Sequence, residues 1–290
     1  MLRTRSVRLI RGANVDVAGH TDSLEAEMNG RQIWRRIRRV WIVLGLSATV
    51  IFVGWSLIAY RASAVAETAI QSDAAVTVER EDGIWFFIPR PPPPAGRPAL
   101  IFFPGALVDP IAYAPLLRAA ATAGFPAYLV ELPRRGAFGG ADSPELQQRF
   151  DRLLGAENTP PTWVIAGHSR GAVVASALAS QRRTGFAGLV VIGSSHPRDV
   201  DLSGLRVPVT KVVGTRDGLA SPGEVEANRD RLPAHTRWVW IEGGNHSQFG
   251  WYAFQPGDHR ATIGANVQRT LMTDAVLDML RNARVGAPAS

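Results

Sequence analysis

The chain has 290 residues, 20% of them charged and 46% hydrophobic, with 28 Gly and 20 Pro spread along it. That composition excludes disordered, collagenous and coiled-coil chains, and the lack of cysteine excludes disulfides, thiolate metal sites and a cysteine nucleophile. The formal charge of +7 invites a nucleic-acid partner, so its distribution matters.

Residues 1–39 hold nine arginines (Arg3, Arg5, Arg8, Arg11, Arg31, Arg35, Arg36, Arg38, Arg39) against Asp16, Asp22, Glu25 and Glu27, a net +5. The remaining 251 residues carry 23 basic and 21 acidic side chains, a net +2, without a basic stripe interleaved with aromatics. No nucleic-acid partner is therefore expected. The basic leader runs into Val40–Tyr60, 21 residues with no ionisable side chain before the terminal Tyr. At about 1.5 Å per residue this run just crosses a hydrocarbon core of roughly 30 Å. Trp41 and Tyr60 mark its ends, where amphipathic rings suit the headgroup level.

A buried core helix would show more polar surface than Ser47, Thr49 and Ser56 provide, so residues 40–60 are expected to form a transmembrane helix. Five arginines in the 20 residues before it, against Arg61 and Arg80 in the 20 after, place the amino terminus in the cytoplasm and the rest outside. The run exceeds the ~7–15 residues of a signal-peptide core, which favours a retained anchor. Cleavage at Ala62-Ser63-Ala64 is the competing outcome, and a start at Met28 would make residues 1–27 a loose extension or an over-long gene model.

Residues 61–75 read as a linker and 76–285 as one domain. Val76–Arg80 and Ile84–Ile88 flank Glu81-Asp82-Gly83, a hairpin signal, and Pro91–Pro94 is a stiff spacer. Strand-like runs follow at Ala99–Phe103, Ala127–Glu131, Trp163–Ala166, Leu189–Ile192, Val207–Val213 and Arg237–Ile241. Helical spacing fills most of the gaps, around Tyr113–Ala123, Pro144–Leu154, Ala172–Arg182, Gly223–Leu232 and Ile263–Leu280. Continuous apolar strands alternating with helices imply an α/β fold with a mainly parallel sheet covered on both faces.

In such a sheet the active groups gather at the carboxyl ends of the strands. The run Trp163-Val164-Ile165-Ala166 leads into Gly167-His168-Ser169-Arg170-Gly171 and a small-residue helix: strand, G-x-S-x-G, helix. The serine occupies a tight, strained turn, so positions two residues away must lack side chains where strand and helix approach. The hydroxyl is lifted above the sheet to a helix amino terminus, where developing negative charge is favoured. A serine nucleophile needs a base oriented by an acid, in the chain order Ser, acid, His for this architecture. Asp217 lies in the loop after the next-to-last strand and His246 in the loop after the last.

With Phe102-Phe103-Pro104-Gly105-Ala106, Gly214-Thr215-Arg216-Asp217-Gly218 and Gly243-Gly244-Asn245-His246-x-x-Phe249-Gly250, the sequence resembles the α/β-hydrolase superfamily, in particular a compact bacterial subgroup related to dienelactone hydrolases. The resemblance covers about residues 76–285. It implies a serine hydrolase with Ser169 as nucleophile, His246 as general base and Asp217 as orienting acid. Among competing histidines, His168 is expected to pack beneath the turn, His196 breaks the chain order, and His235 and His259 are expected in solvent. Asp199 and Asp201, one strand earlier, are alternatives for the acid, and Asp142 and Asp258 read as helix caps.

The oxyanion requires two backbone N–H donors. One is expected from Arg170 and the other from Ala106, with Leu107 the fallback, because Pro104-Gly105-Ala106-Leu107 stands where the family places its oxyanion loop. The Arg170 side chain has two readings, a surface ion pair or the steering of acidic substrates. Only Gly193–Arg206 separate two strands where relatives commonly insert a lid, so a lidless site walled by loops 107–113, 133–140, 194–200 and 249–255 is expected. Phe138, Phe249, Trp251, Tyr252 and Phe254 are candidates for either an apolar pocket or core. No H-E-x-x-H, P-loop or dinucleotide motif is present, so no metal or cofactor is expected. The substrate is expected to be a small carboxylic ester or other acyl compound. Acyl transfer on the same residues, or a non-catalytic anchored binding module, are the alternatives, and the oligomeric state stays open.

Overall fold

A computed structural model describes residues 17–94, 96–155, 162–181 and 186–283. Arg3, Arg5, Arg8 and Arg11 of the basic leader lie outside them. The chain divides into two compact units, Met1–Val53 and Gly54–Ser290. The first holds most of α1 (Val17–Ala59). Within α1, Arg31–Ala59 is long and apolar enough to cross a membrane, and its side chains from Arg31 to Phe52 are exposed.

The second unit is built on eight strands: β1 (Val76–Glu81), β2 (Ile84–Pro89), β3 (Ala99–Phe103), β4 (Ala127–Val130), β5 (Trp163–His168), β6 (Phe186–Ile192), β7 (Val209–Gly214) and β8 (Arg237–Ile241). Their order is β1-β2-β4-β3-β5-β6-β7-β8. β1 and β2 form a hairpin, and β2 lies antiparallel to β4; the other pairings are parallel. The hairpin turns through Asp82 and Gly83, both at positive φ, the twist that two-residue hairpin loops require.

Alternate residues of the parallel strands enter two separate cores. Leu100, Phe102, Val164, Ala166, Val190 and Val212 pack with Leu116 and Leu117 of α3 (Ala114–Thr122) and with Met272 and Val276 of α7 (Ala265–Asn282). Ile101, Phe103, Ile165 and Val191 pack with Leu146 and Phe150 of α4 (Pro144–Gly155) and with Ala172 and Ala175 of α5 (Arg170–Gln181). Both faces being covered, these strands have no solvent side on which polar residues would alternate.

Two stretches differ from expectation. Residues 61–75 are not an open linker: α2 (Ala64–Ala69) buries Ala66 and Ala69, and Arg118 of α3 donates to Ala69 O and pairs with Asp73 at 2.7 Å. The helix expected over 223–232 ends early. α6 (Pro222–Ala227), closed at its start by a Ser221–Glu224 capping box, gives way to a separate turn at Arg229–Arg231. Between β6 and β7 the described chain contains no inserted helix.

Candidate active site

The turn from β5 into α5 has the strain that its sequence pattern implies. Ser169 sits at φ +53°, a left-handed conformation costing a non-glycine residue roughly 1–2 kcal/mol, and its N–H donates to Ile192 O at 3.0 Å. Both flanking glycines are required by close approach. A Cβ on Gly167 would lie 2.3 Å from the Gly171 carbonyl, and one on Gly171 would lie 2.0 Å from Phe103 O. No side chain fits either gap, so strand and helix can meet this tightly only with glycine at both positions.

Asp217 and His246 leave the adjacent parallel strands β7 and β8 at the same edge of the sheet. The structure brings them together: His246 Nδ1 lies 2.9 Å from Asp217 Oδ2 and 3.1 Å from Oδ1, with both residues buried. Asp217 Oδ1 also accepts from the N–H groups of Leu219 (2.9 Å) and Ala220 (2.7 Å), which hold the carboxylate facing the imidazole. Ser169 lies at the same edge, since β5, β6, β7 and β8 run parallel. The ring of its neighbour His168 stands 4.5 Å from that of His246, centroid to centroid. No described hydrogen bond joins Ser169 Oγ to His246; contacts of this kind often tighten only when substrate binds.

The competing residues are accounted for by their surroundings. His168 is fully buried, bonded through Nδ1 to Tyr113 Oη at 2.7 Å, and burial next to His246 pushes its pKa well below the ordinary histidine value. His196 is half-buried and His235 and His259 are exposed. Asp199 and Asp201 are exposed, and neither makes a described contact with His246.

Backbone donors distinguish the two candidates in the loop after β3. Leu107 N already donates to Arg135 O at 2.7 Å, whereas Ala106 N is not among the described donors. Arg170 opens α5, where N–H groups have no partner inside the helix. The Arg170 side chain makes an ion pair with Asp142 at 2.6 Å, the surface-pair reading of this residue.

Neither Asp142 nor Asp258 acts as a helix cap. At the start of α4 it is Ser143 Oγ that accepts from Leu146 N (3.4 Å). Asp258 is buried and accepts from Gly218 N (3.0 Å), His246 N (3.2 Å), Ser247 N (2.8 Å), Ser247 Oγ (2.6 Å) and His259 N (2.8 Å). It therefore ties the Asp217 loop to the His246 loop. The aromatic candidates divide between core and surface: Phe249 and Tyr252 are buried and Trp251 half-buried, while Phe138 and Phe254 are exposed.

Two further groups were not singled out from sequence. Tyr113 Oη accepts from Gly105 N at 3.2 Å while bonded to His168, linking the Ala106 loop to the serine turn. Lys211, on β7, is buried, and its Nζ donates to His196 O. Burial pushes its pKa down to about 7 against the pull of Asp217. The signal for Lys211 was a lysine inside an otherwise apolar strand; Tyr113 had none.

A doubly covered, mainly parallel sheet with a strained serine turn and an Asp–His pair at its carboxyl edge defines a class. Residues 99–270 match the model of the alpha/beta hydrolase family, and the chain belongs to that family. Among solved structures, it is similar to a dienelactone hydrolase-like promiscuous phosphotriesterase from metagenomic libraries (17% identity, 71% of this chain and 99% of that one, TM-score 0.53). It is also similar to a ferulic acid esterase from Streptomyces cinnamoneus (16%, 80% and 95%, 0.56). A third is the esterase domain of a Rhodothermus marinus protein (14%, 73% and 99%, 0.50). At these identities the likeness is one of fold. No curated protein matches the chain.

Proposed function

We propose that this hydrolase is a membrane-anchored serine hydrolase acting on a carboxylic ester or related acyl compound, with its catalytic domain outside the cytoplasm. The observation that carries the reading is the buried His246–Asp217 pair at 2.9 Å beside the strained Ser169 turn. His246 takes the Ser169 proton as Oγ bonds to the acyl carbon, and gives it to the alcohol as the ester C–O bond breaks. Water then attacks the acyl-enzyme, releasing the carboxylic acid and restoring Ser169. Asp217 keeps His246 in the tautomer whose Nε2 can accept that proton. The N–H groups of Ala106 and Arg170 face the oxyanion.

The test is labelling with a fluorophosphonate probe followed by peptide mass analysis. The adduct is expected on Ser169, with p-nitrophenyl ester hydrolysis lost in Ser169→Ala. A folded protein that neither labels at Ser169 nor hydrolyses esters would refute the reading.

A further inference from the structure

The apolar run is only as long as a bilayer demands. Crossing a hydrocarbon core takes about 20 residues, and Val40–Tyr60 supplies 21, so Tyr60 has to lie at the lipid boundary. Tyr60 is also part of the hydrolase unit. It and Ser56 are buried, Tyr60 O accepts from Asp109 N at 3.0 Å, and its ring packs edge-on against Tyr252 at 6.1 Å. Three residues on, Ser63 N donates to Trp251 O at 2.8 Å. Asp109 follows β3, and Trp251 and Tyr252 follow β8. Both loops leave the carboxyl edge of the sheet, the edge that carries Ser169 and His246.

An independent observation points the same way. Of the seven exposed large apolar side chains described after Tyr60, three stand on loops at this edge: Phe138 after β4 (69% exposed), Leu219 after β7 (40%) and Phe254 after β8 (48%). A fourth, Val267, lies in the first turn of α7, which opens from the same edge. Phe138 is moreover held at φ +49°, a conformation unfavourable for an aromatic residue. Water offers no compensation for that exposure, whereas the interfacial zone of a bilayer does, since aromatic and leucine side chains partition there.

We infer that the Ser169-bearing edge is held against the lipid surface, with Phe138, Leu219 and Phe254 as its contact rim, and that the substrate is a bilayer-resident lipid ester. This rests on the anchor and serine-hydrolase readings above. The products would be a carboxylic acid and the lipid alcohol, by the same bond changes.

The chain has no native cysteine, so Phe138→Cys, Phe254→Cys and, from the loop leading to the opposite edge, Ser203→Cys can each carry a single environment-sensitive fluorophore. The full chain is reconstituted in phosphatidylcholine vesicles containing spin-labelled lipid. Strong quenching at positions 138 and 254 with little at 203 is expected; equal quenching at all three would overturn the proposal. In the same vesicles, the rate on an embedded long-chain fluorogenic ester relative to a water-soluble short-chain ester should fall about tenfold in Phe138→Asp and Phe254→Asp, the scale of one lost aromatic burial. An unchanged ratio would overturn the substrate assignment. Release of the chain from membranes by alkaline carbonate would remove the anchor reading. Turnover of the soluble ester by Ser169→Ala would remove the serine reading and leave the quenching result standing.

Discussion

Replacing Lys211 with methionine tests whether the lysine is neutral beside the Asp217–His246 pair. Its Nζ is buried on β7 with His196 O as acceptor, and its pKa falls from the ordinary 10.5 to about 7. The unfolded chain therefore binds the proton more tightly than the folded one between those two values. Stability of the wild type must rise with pH across this window and be insensitive to Lys211 below it. The slope is about 1.4 kcal/mol per pH unit, and integration from pH 7 to pH 10 gives about 3–4 kcal/mol. Methionine fills a similar volume and binds no proton, so the variant's stability relative to wild type should decline by that amount over the same range. Comparing the two proteins cancels titrations they share. Urea unfolding of the full chain in nonionic detergent, followed by tryptophan fluorescence at several pH values, measures the difference. A difference constant to within about 1 kcal/mol would refute the assignment, meaning that Lys211 keeps its proton when buried.

Asp217→Asn should lower kcat on a soluble ester by roughly 10⁴-fold with the fold retained, because the amide holds His246 in the wrong tautomer; activity within tenfold of wild type would move the acid elsewhere. Asp258→Ala should destabilise the protein by about 2–4 kcal/mol in urea unfolding, since buried N–H groups of His246 and Ser247 lose their acceptor. Tyr113→Phe should cost about 1–2 kcal/mol and leave fluorophosphonate labelling of Ser169 intact but slower, because Gly105 and His168 lose their common partner. Gly171→Ala should yield little folded protein, its Cβ meeting Phe103 O at 2.0 Å, whereas Gly223→Ala, with open space around it, should be tolerated; circular dichroism distinguishes the two.

Much of this protein is legible in one dimension. The strands are short apolar runs because both faces of the sheet are covered, and strand, G-x-S-x-G, helix is a local pattern whose glycines answer to contacts only four residues apart or one strand away. The 21-residue apolar run is a matter of length alone. Chain order and strand ends likewise single out Asp217 and His246, two side chains that the fold brings to 2.9 Å. Tertiary structure decided what depends on distant partners. Asp258 reads as a cap until the Asp217 and His246 loops are seen converging on it. Leu107 stands as the fallback to Ala106 in sequence until Arg135, 28 residues on, takes the Leu107 amide. Residues 61–75 look like a linker because the surface that buries Ala66 and Ala69 is assembled from other parts of the chain. Tyr60 ends an apolar run in sequence, but its contacts with Asp109 and Tyr252 put that end at the edge bearing Ser169. Local pattern encodes elements and motif turns because their causes lie within a few residues; which loops meet at one edge is set by strand order, and no spacing along the chain records it.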